Sequence, residues 1–273
     1  MEKQMFYKVY GDVPKYRSDL LNDVAHGFST RHGGVSTCEH TASMNLAFGR
    51  GDDDETVIKN FEIFARSIGA DSKRGLMLNQ IHSTEILTVT ESEHGLGVYQ
   101  KTELALDGYV SKTPGTLLCV RVADCVPILF ADTEAGVIGA VHSGWRGSIG
   151  KIGKLCVERM CELGAKRESI RAAIGPCICK DCYEVNEDFV ETCEILGGKQ
   201  LCSRFIEMAD DGRKRADLKL LNKLVLLEAG LDEKNIDVSP SCTCCEPNEF
   251  FSHRYHKDKR GTMCAMIALD PKI

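Results

Sequence analysis

The fold turns on LLCVRVADCVPILFADTEAGVIGAVHSGWRGSIG, residues 117–150. Three apolar, β-branched runs follow one another there, at 117–123, 127–131 and 137–142. The last two are separated only by the turn-rich DTEAG, residues 132–136. Parallel strands need a crossover of a dozen or more residues, so this pair is predicted to be antiparallel. The chain then passes through Ser143-Gly144-Trp145-Arg146-Gly147 into a helix predicted to begin near Ser148.

If Thr133 and Glu134 make the turn, Cys125 lies directly opposite His142. Opposed residues have Cβ atoms about 4.5–5.5 Å apart. A slip of one residue would send the two side chains to opposite faces. A thiolate and an imidazole so placed can share one metal ion. His82, at the end of a strand-like run over 76–82, offers a third ligand. Two histidines and one cysteine leave a position open, the catalytic rather than the closed arrangement. Asp124 is the candidate orienter of a metal-bound histidine. Arg146, with the free N–H groups of the helix start, suits a phosphate or carboxylate.

Helical spacing is predicted over 53–69, where Val57, Phe61, Phe64, Ala65 and Ile68 recur, and over 149–163, 186–196 and 216–229. Further strand-like runs lie at 24–30, 85–90, 170–174, 204–208, 250–253 and 263–269. Many are joined by short turns. The expectation is an α+β fold of mixed or antiparallel sheets covered by helices. No Pro-, Gly- or Ser-rich linker interrupts the chain, so one domain spans 1–273.

Composition removes several function classes. The 273 residues carry a net charge of −6, and the longest basic run, Arg213-Lys214-Arg215, follows two aspartates. A nucleic-acid surface or an anionic-membrane patch is not expected. The longest apolar run is 263–269, against the roughly twenty residues of a spanning helix. The first twenty residues lack the apolar stretch of a secretory signal, which points to the cytoplasm. Fourteen cysteines there suggest metal binding or catalysis before disulfides. Cys177, Cys179 and Cys182, with Cys242, Cys244 and Cys245, offer enough thiols for a second, closed site. Read as C-x-C-x-x-C and C-x-C-C, they look irregular beside a zinc ribbon, and reduced thiols near a surface loop are the expectation.

Several segments in a fixed order carry a family resemblance: HGFSTRHGGVS (26–36), MNLAFGRGDD (44–53), LNQIHS (78–83), DGYVSKTPG (107–115), VADCVPILFAD (122–132), VHSGWRG (141–147), IGPCI (174–178) and CYEV (182–185). The chain resembles the YfiH family, also called the laccase-domain or multicopper polyphenol oxidoreductase family. The resemblance implies a layered α-β-β-α fold. It also implies a zinc-dependent purine nucleoside phosphorylase acting on adenosine, inosine and methylthioadenosine, with adenosine deaminase activity. The implied zinc ligands are His82, Cys125 and His142, the three residues reached from spacing, with copper as an alternative metal. Phosphorolysis needs a held phosphate, for which Arg146 and Arg31 are candidates, and Asn45 is a candidate ribose contact. The family's Ser-Tyr-Arg-Arg-like ending reads Ser252-His253-Arg254-Tyr255-His256 here, followed by Arg260-Gly261-Thr262 in place of a Gly-Arg pair.

Two other enzymes use the same residues. In a cysteine hydrolase or amidase, for example one editing peptidoglycan precursors, Cys125 is the nucleophile and His142 its base. A multicopper oxidase resembles its kind by several His-x-His pairs, and none of the eight histidines makes one. A zinc-stabilised binding module is the non-enzymatic reading. The expected partners are purine nucleosides and phosphate, and the expected state is a monomer.

Overall fold

The structure, a computed structural model, describes residues 6–269. Two six-stranded sheets lie face to face. The first runs, edge to edge, through Phe6–Val9, Lys15–Ser18, Ala25–Ser29, Met263–Ala268, Leu117–Val122 and Gly75–Leu76. The second runs through Ile236–Val238, Arg171–Ile174, Val126–Asp132, Val137–Ser143, Gly108–Ser111 and Ile86–Thr88. Most pairs are antiparallel, and three are parallel: Gly75–Leu76 with Leu117–Val122, Arg171–Ile174 with Ile236–Val238, and Ile86–Thr88 with Gly108–Ser111. A three-stranded sheet of Glu184–Val185, Lys214–Ala216 and Ile206–Met208 is separate.

Strand alternation builds the layers. Leu118, Val120, Ala265 and Ile267 of the first sheet meet Leu129, Ala131, Ile138 and Ala140 of the second in one apolar cluster. Their neighbours Leu117, Cys119, Cys264 and Met266 point the other way, onto Val57, Phe61 and Phe64 of the helix Asp54–Ser67. Ile128, Phe130, Val137 and Val141 point outward from the second sheet, onto Cys156, Val157 and Met160 of the helix Ile152–Glu162 and Leu221 and Val225 of the helix Leu218–Glu228. The result is helix, sheet, sheet, helix, because each strand is apolar on both faces and each face needs cover.

Helix starts follow side-chain capping. Asp53, Asn186 and Asp217 accept the N–H of Thr56, Phe189 and Leu220, so the helices Asp54–Ser67, Glu187–Gly197 and Leu218–Glu228 begin within two residues of the sequence expectation.

Other expectations are corrected. The helix over 149–163 is two, Trp145–Ile149 and Ile152–Glu162, broken where Lys151 takes φ 60°. Its first turn therefore starts three residues before Ser148. Residues 204–208 begin inside the helix Lys199–Phe205. Residues 250–253 form no strand: Phe250 and Phe251 pack on Val122 and Met263, and a short helix, His253–His256, follows. The strand expected over 76–82 ends at Leu76. The hairpin loop is the four residues 133–136, with Gly136 at φ 65°, so Asp132 pairs with Val137 and Pro127, not Cys125, with His142. This slip is of two residues, and an even slip keeps side chains on their face.

Candidate metal centre and active-site cavity

Asp107, just before the strand Gly108–Ser111, is fully buried. Its carboxylate accepts the N–H of Ile81 and His82 at 3.1 Å, the N–H of Ser83 at 2.7 Å and the Ser83 hydroxyl at 2.9 Å. Successive N–H groups can converge on one anion only if the chain turns sharply. His82 accordingly takes φ 60°, which ends the strand expected through it. The same carboxylate accepts from His142 Nδ1 at 2.7 Å, and the Asp107 carbonyl accepts the His142 N–H at 2.8 Å. Asp107 thus fixes two histidines and leaves Nε2 of His142 free to face outward.

Cys125 completes the group from the turn between Leu117–Val122 and Val126–Asp132. One ligand atom each from His82, Cys125 and His142 lies within 4.8 Å of the other two. Cys125 Sγ is 3.8 Å from His82 Nε2, and the two imidazole rings cross at 80° with centroids 4.8 Å apart. Gly144 passes directly beneath: a Cβ there would run into the His82 ring. Burial works against a charged Cys125, but His142 and the hydrogen bonds from His142 and His82 bring its pKa down to about 6. Burial likewise works against a charged His142, yet Cys125 and Asp107 raise it to about 9. These opposed shifts favour a thiolate beside an imidazolium, a pair whose proton a bound cation would displace.

A metal fits this donor set. Two imidazole nitrogens and a thiolate suit zinc or copper, an outer carboxylate holds one ligand, and His82 is exposed on the side left open.

Asp124, the expected orienter, does something else. Its carboxylate accepts from Thr243 Oγ1 and from the N–H of Arg254, both at 2.6 Å. Arg31 spans Ala42 O, Pro247 O and His256 and stacks on Phe251, outside the cavity lining. Asn45 is buried among Ala47 O, Asp52 and the Thr262 N–H, where it ties loops together. Arg146 is exposed and stacks on its neighbour Trp145 at 4.1 Å. The short helix that carries it starts beside the triad, but Arg146 does not line the cavity there.

The arginines at the triad come from elsewhere. A cavity of about 380 Å³ opens over His82, Cys125 and His142 and is lined by Arg50, Arg121, Arg260 and His253. Among the described residues none of the three arginines has a carboxylate within 4.0 Å. Arg260 is buried, and its Nε has no hydrogen-bond partner among the described residues. A second, mainly apolar cavity of about 190 Å³, walled by Trp145, Tyr183 and Leu218, shares Ala123, Cys125 and His253 with the first. A neighbouring cavity of about 500 Å³ shares Phe48 and Arg121 but has no His or Cys in its wall.

The sequence carried faint signals of these residues. Asp107 interrupts the apolar LALDGYV, and Arg121 interrupts LLCVRV. A charge inside a buried strand needs a partner or a task.

The family model described as multi-copper polyphenol oxidoreductase laccase matches residues 25–270. The chain belongs to this family. Within similar proteins, one from Deinococcus radiodurans named purine nucleoside phosphorylase is 38% identical over 247 residues, covering 90% of this chain and 89% of that one. A protein from an unknown prokaryotic organism named adenosine deaminase RL5 is 36% identical over 230 residues, covering 83% and 87%. The crystal structure of the Bacillus licheniformis hypothetical protein YfiH superposes with a TM-score of 0.89 at 30% identity, covering 98% of this chain and 100% of that one. The layered fold of the family is the fold found here. No helix among the described residues is long and apolar enough to cross a membrane.

Proposed function

We propose that the chain is a zinc-dependent purine nucleoside phosphorylase, acting on adenosine, inosine and methylthioadenosine, with a second, phosphate-independent adenosine deaminase activity. The observation that carries this reading is the cavity in which three arginines, without carboxylate partners among the described residues, line the same space as a His-Cys-His donor set. The names of the two relatives supply the substrate class.

Zinc held by His82, Cys125 and His142 supplies a Lewis acid at the cavity floor. Arg50, Arg121 and Arg260 bind phosphate and hold it against C1′ of the ribose, where the unpartnered Arg260 Nε finds an acceptor. The purine lies in the apolar cavity against Trp145 and Tyr183, so the sugar sits at Cys125, where the two cavities join. A phosphate oxygen bonds to C1′, the C1′–N9 bond breaks, and its electron pair leaves with the base. His253, in the wall of both cavities, is placed to hand the departing base a proton. Asp107 keeps His142 in the tautomer whose Nε2 is free.

A multicopper cluster is disfavoured because the cavity wall holds three histidines, His82, His142 and His253, beside Cys125, too few donors for several copper ions. A specific observation favours a second reading. Cys125 Sγ and a ring nitrogen of His142 lie within 4.8 Å of each other, the juxtaposition a cysteine hydrolase needs between nucleophile and base.

One chromatographic assay separates them. Zinc-loaded protein is given adenosine with and without phosphate, beside Cys125→Ala. Phosphate-dependent adenine release, lost in the variant, is the expected result. Metal-free protein that turns over amide substrates and is silenced by iodoacetamide would favour the hydrolase.

A further inference from the structure

Strands Arg171–Ile174 and Ile236–Val238 are parallel neighbours, so the loops that follow them run side by side. A backbone bridge between Cys177 and Cys242 prolongs that pairing. The two loops carry Cys179-Lys180-Asp181-Cys182 and Cys242-Thr243-Cys244-Cys245. Each is a C-x-x-C unit, hidden in sequence by the extra cysteines Cys177 and Cys244. The structure sorts them. Cys177 is buried in the apolar core, whereas Cys179, Cys182, Cys242 and Cys245 bring four Sγ atoms within 4.8 Å of one another.

The spacing is that of a metal site. Cys245 Sγ is 3.3 Å from Cys182 Sγ and 3.8 Å from Cys179 Sγ. Four sulfurs placed tetrahedrally at about 2.3 Å from one ion stand roughly 3.8 Å apart. The backbone supplies a second, independent sign. Cys242 Sγ accepts the N–H of Cys179 at 3.2 Å and of Cys245 at 3.4 Å. Backbone donors aimed at one sulfur stabilise a thiolate, the form that binds metal. A disulfide between Cys182 and Cys245 would use neither Cys242 nor those donors.

We propose that Cys179, Cys182, Cys242 and Cys245 form a closed four-thiolate site for a zinc ion, separate from the His82–Cys125–His142 centre. Four protein ligands leave no open position, so the ion is structural. Its task follows from what the two loops touch. Ile178 donates its N–H to Asp124 O at 3.0 Å, and Thr243, within the second C-x-x-C unit, donates its hydroxyl to the Asp124 carboxylate at 2.6 Å. The ion ties both loops together behind the turn that presents Cys125, where Asp124 takes φ 88°.

The test counts metal by mass spectrometry of the element in full-length protein purified under reducing conditions. Wild type is expected to hold two zinc ions per chain. The double variant His82→Ala/Cys125→Ala keeps one, and adding Cys179→Ser and Cys242→Ser removes it. Because the cysteine variants can misfold, the double variant is also loaded with cobalt(II) alone. Strong thiolate-to-cobalt charge-transfer absorption is expected, since among the described residues no other group of three or more metal-ligating side chains remains. A double variant that binds neither zinc nor cobalt overturns the proposal. So does a Cys182–Cys245 disulfide found by alkylation mapping of the protein as purified.

Discussion

Asp107 and His142 are joined twice, by a 2.7 Å bond from Nδ1 to the carboxylate and by a 2.8 Å bond from the His142 N–H to the Asp107 carbonyl. The other carboxylate contacts hold the backbone of residues 81–83 in the turn that presents His82. One buried carboxylate therefore positions two of the three candidate metal ligands. Burial opposes its charge, but His142 and the Ser83 donors outweigh that and hold its pKa below the ordinary carboxylate value.

Asp107→Asn keeps the shape and removes the charge. Loss of such an outer partner typically costs about 10–100-fold in metal affinity or activity. Zinc competition with a chromophoric chelator should show a loss of that size. An unchanged affinity would mean that Asp107 only folds the turn.

Gly144→Ala places a methyl group against the His82 ring. The ring has to move, because the strand Val137–Ser143 and the helix Trp145–Ile149 anchor Gly144 on both sides. Zinc affinity should fall at least tenfold while the melting temperature of the metal-free protein stays within a few degrees. A large drop in that temperature with intact affinity would contradict the assignment.

Arg260→Met removes a cation whose Nε has no internal partner. Hydrogen bonds to charged groups are worth about 1.5–3 kcal/mol, or roughly 10–100-fold. The KM for phosphate should rise by that factor. Deamination of adenosine, which uses no phosphate, should be nearly unaffected. Equal losses in both reactions would point to general disruption of the cavity.

His26 gives a pH dependence away from the site. Its ring is fully buried, Nε2 accepts the Ser18 N–H at 3.0 Å, and Nδ1 faces Val24 O at 3.1 Å, which suits a neutral ring protonated on Nδ1. Burial pulls its pKa from 6.5 to about 4. Between those values the unfolded chain holds the proton and the folded chain does not. Stability is therefore full above pH 6.5 and falls as pH drops toward 4, by up to about 3 kcal/mol. Urea unfolding in chelator should show wild type losing about that much more than His26→Gln between pH 7 and 4. Parallel pH curves would remove His26 as the cause.

The fold was legible where pattern repeats. The apolar runs at 117–123, 127–131 and 137–142 became three buried strands, and the helices expected from 53, 186 and 216 begin within two residues of those positions. What failed was geometry decided by loops. The hairpin loop has four residues rather than two, and only the even slip kept Cys125 and His142 on one face. Residues 76–82 look like a strand because nothing local reveals that Asp107 will bend them. The arginines could not be chosen from spacing, since Arg50, Arg121 and Arg260 meet only after folding. Arg31 and Arg146 sit in Gly-rich motifs that look like anion sites, and in the structure their guanidinium groups meet the Pro247 carbonyl and the Trp145 ring.

The most direct measurement is phosphorus NMR of zinc-loaded protein with adenosine and inorganic phosphate. The account predicts that a sugar 1-phosphate signal grows in step with free adenine and that Arg260→Met slows both. Adenine release with no sugar phosphate, or inosine as the sole product, would contradict phosphorolysis and leave the three arginines without the role given to them.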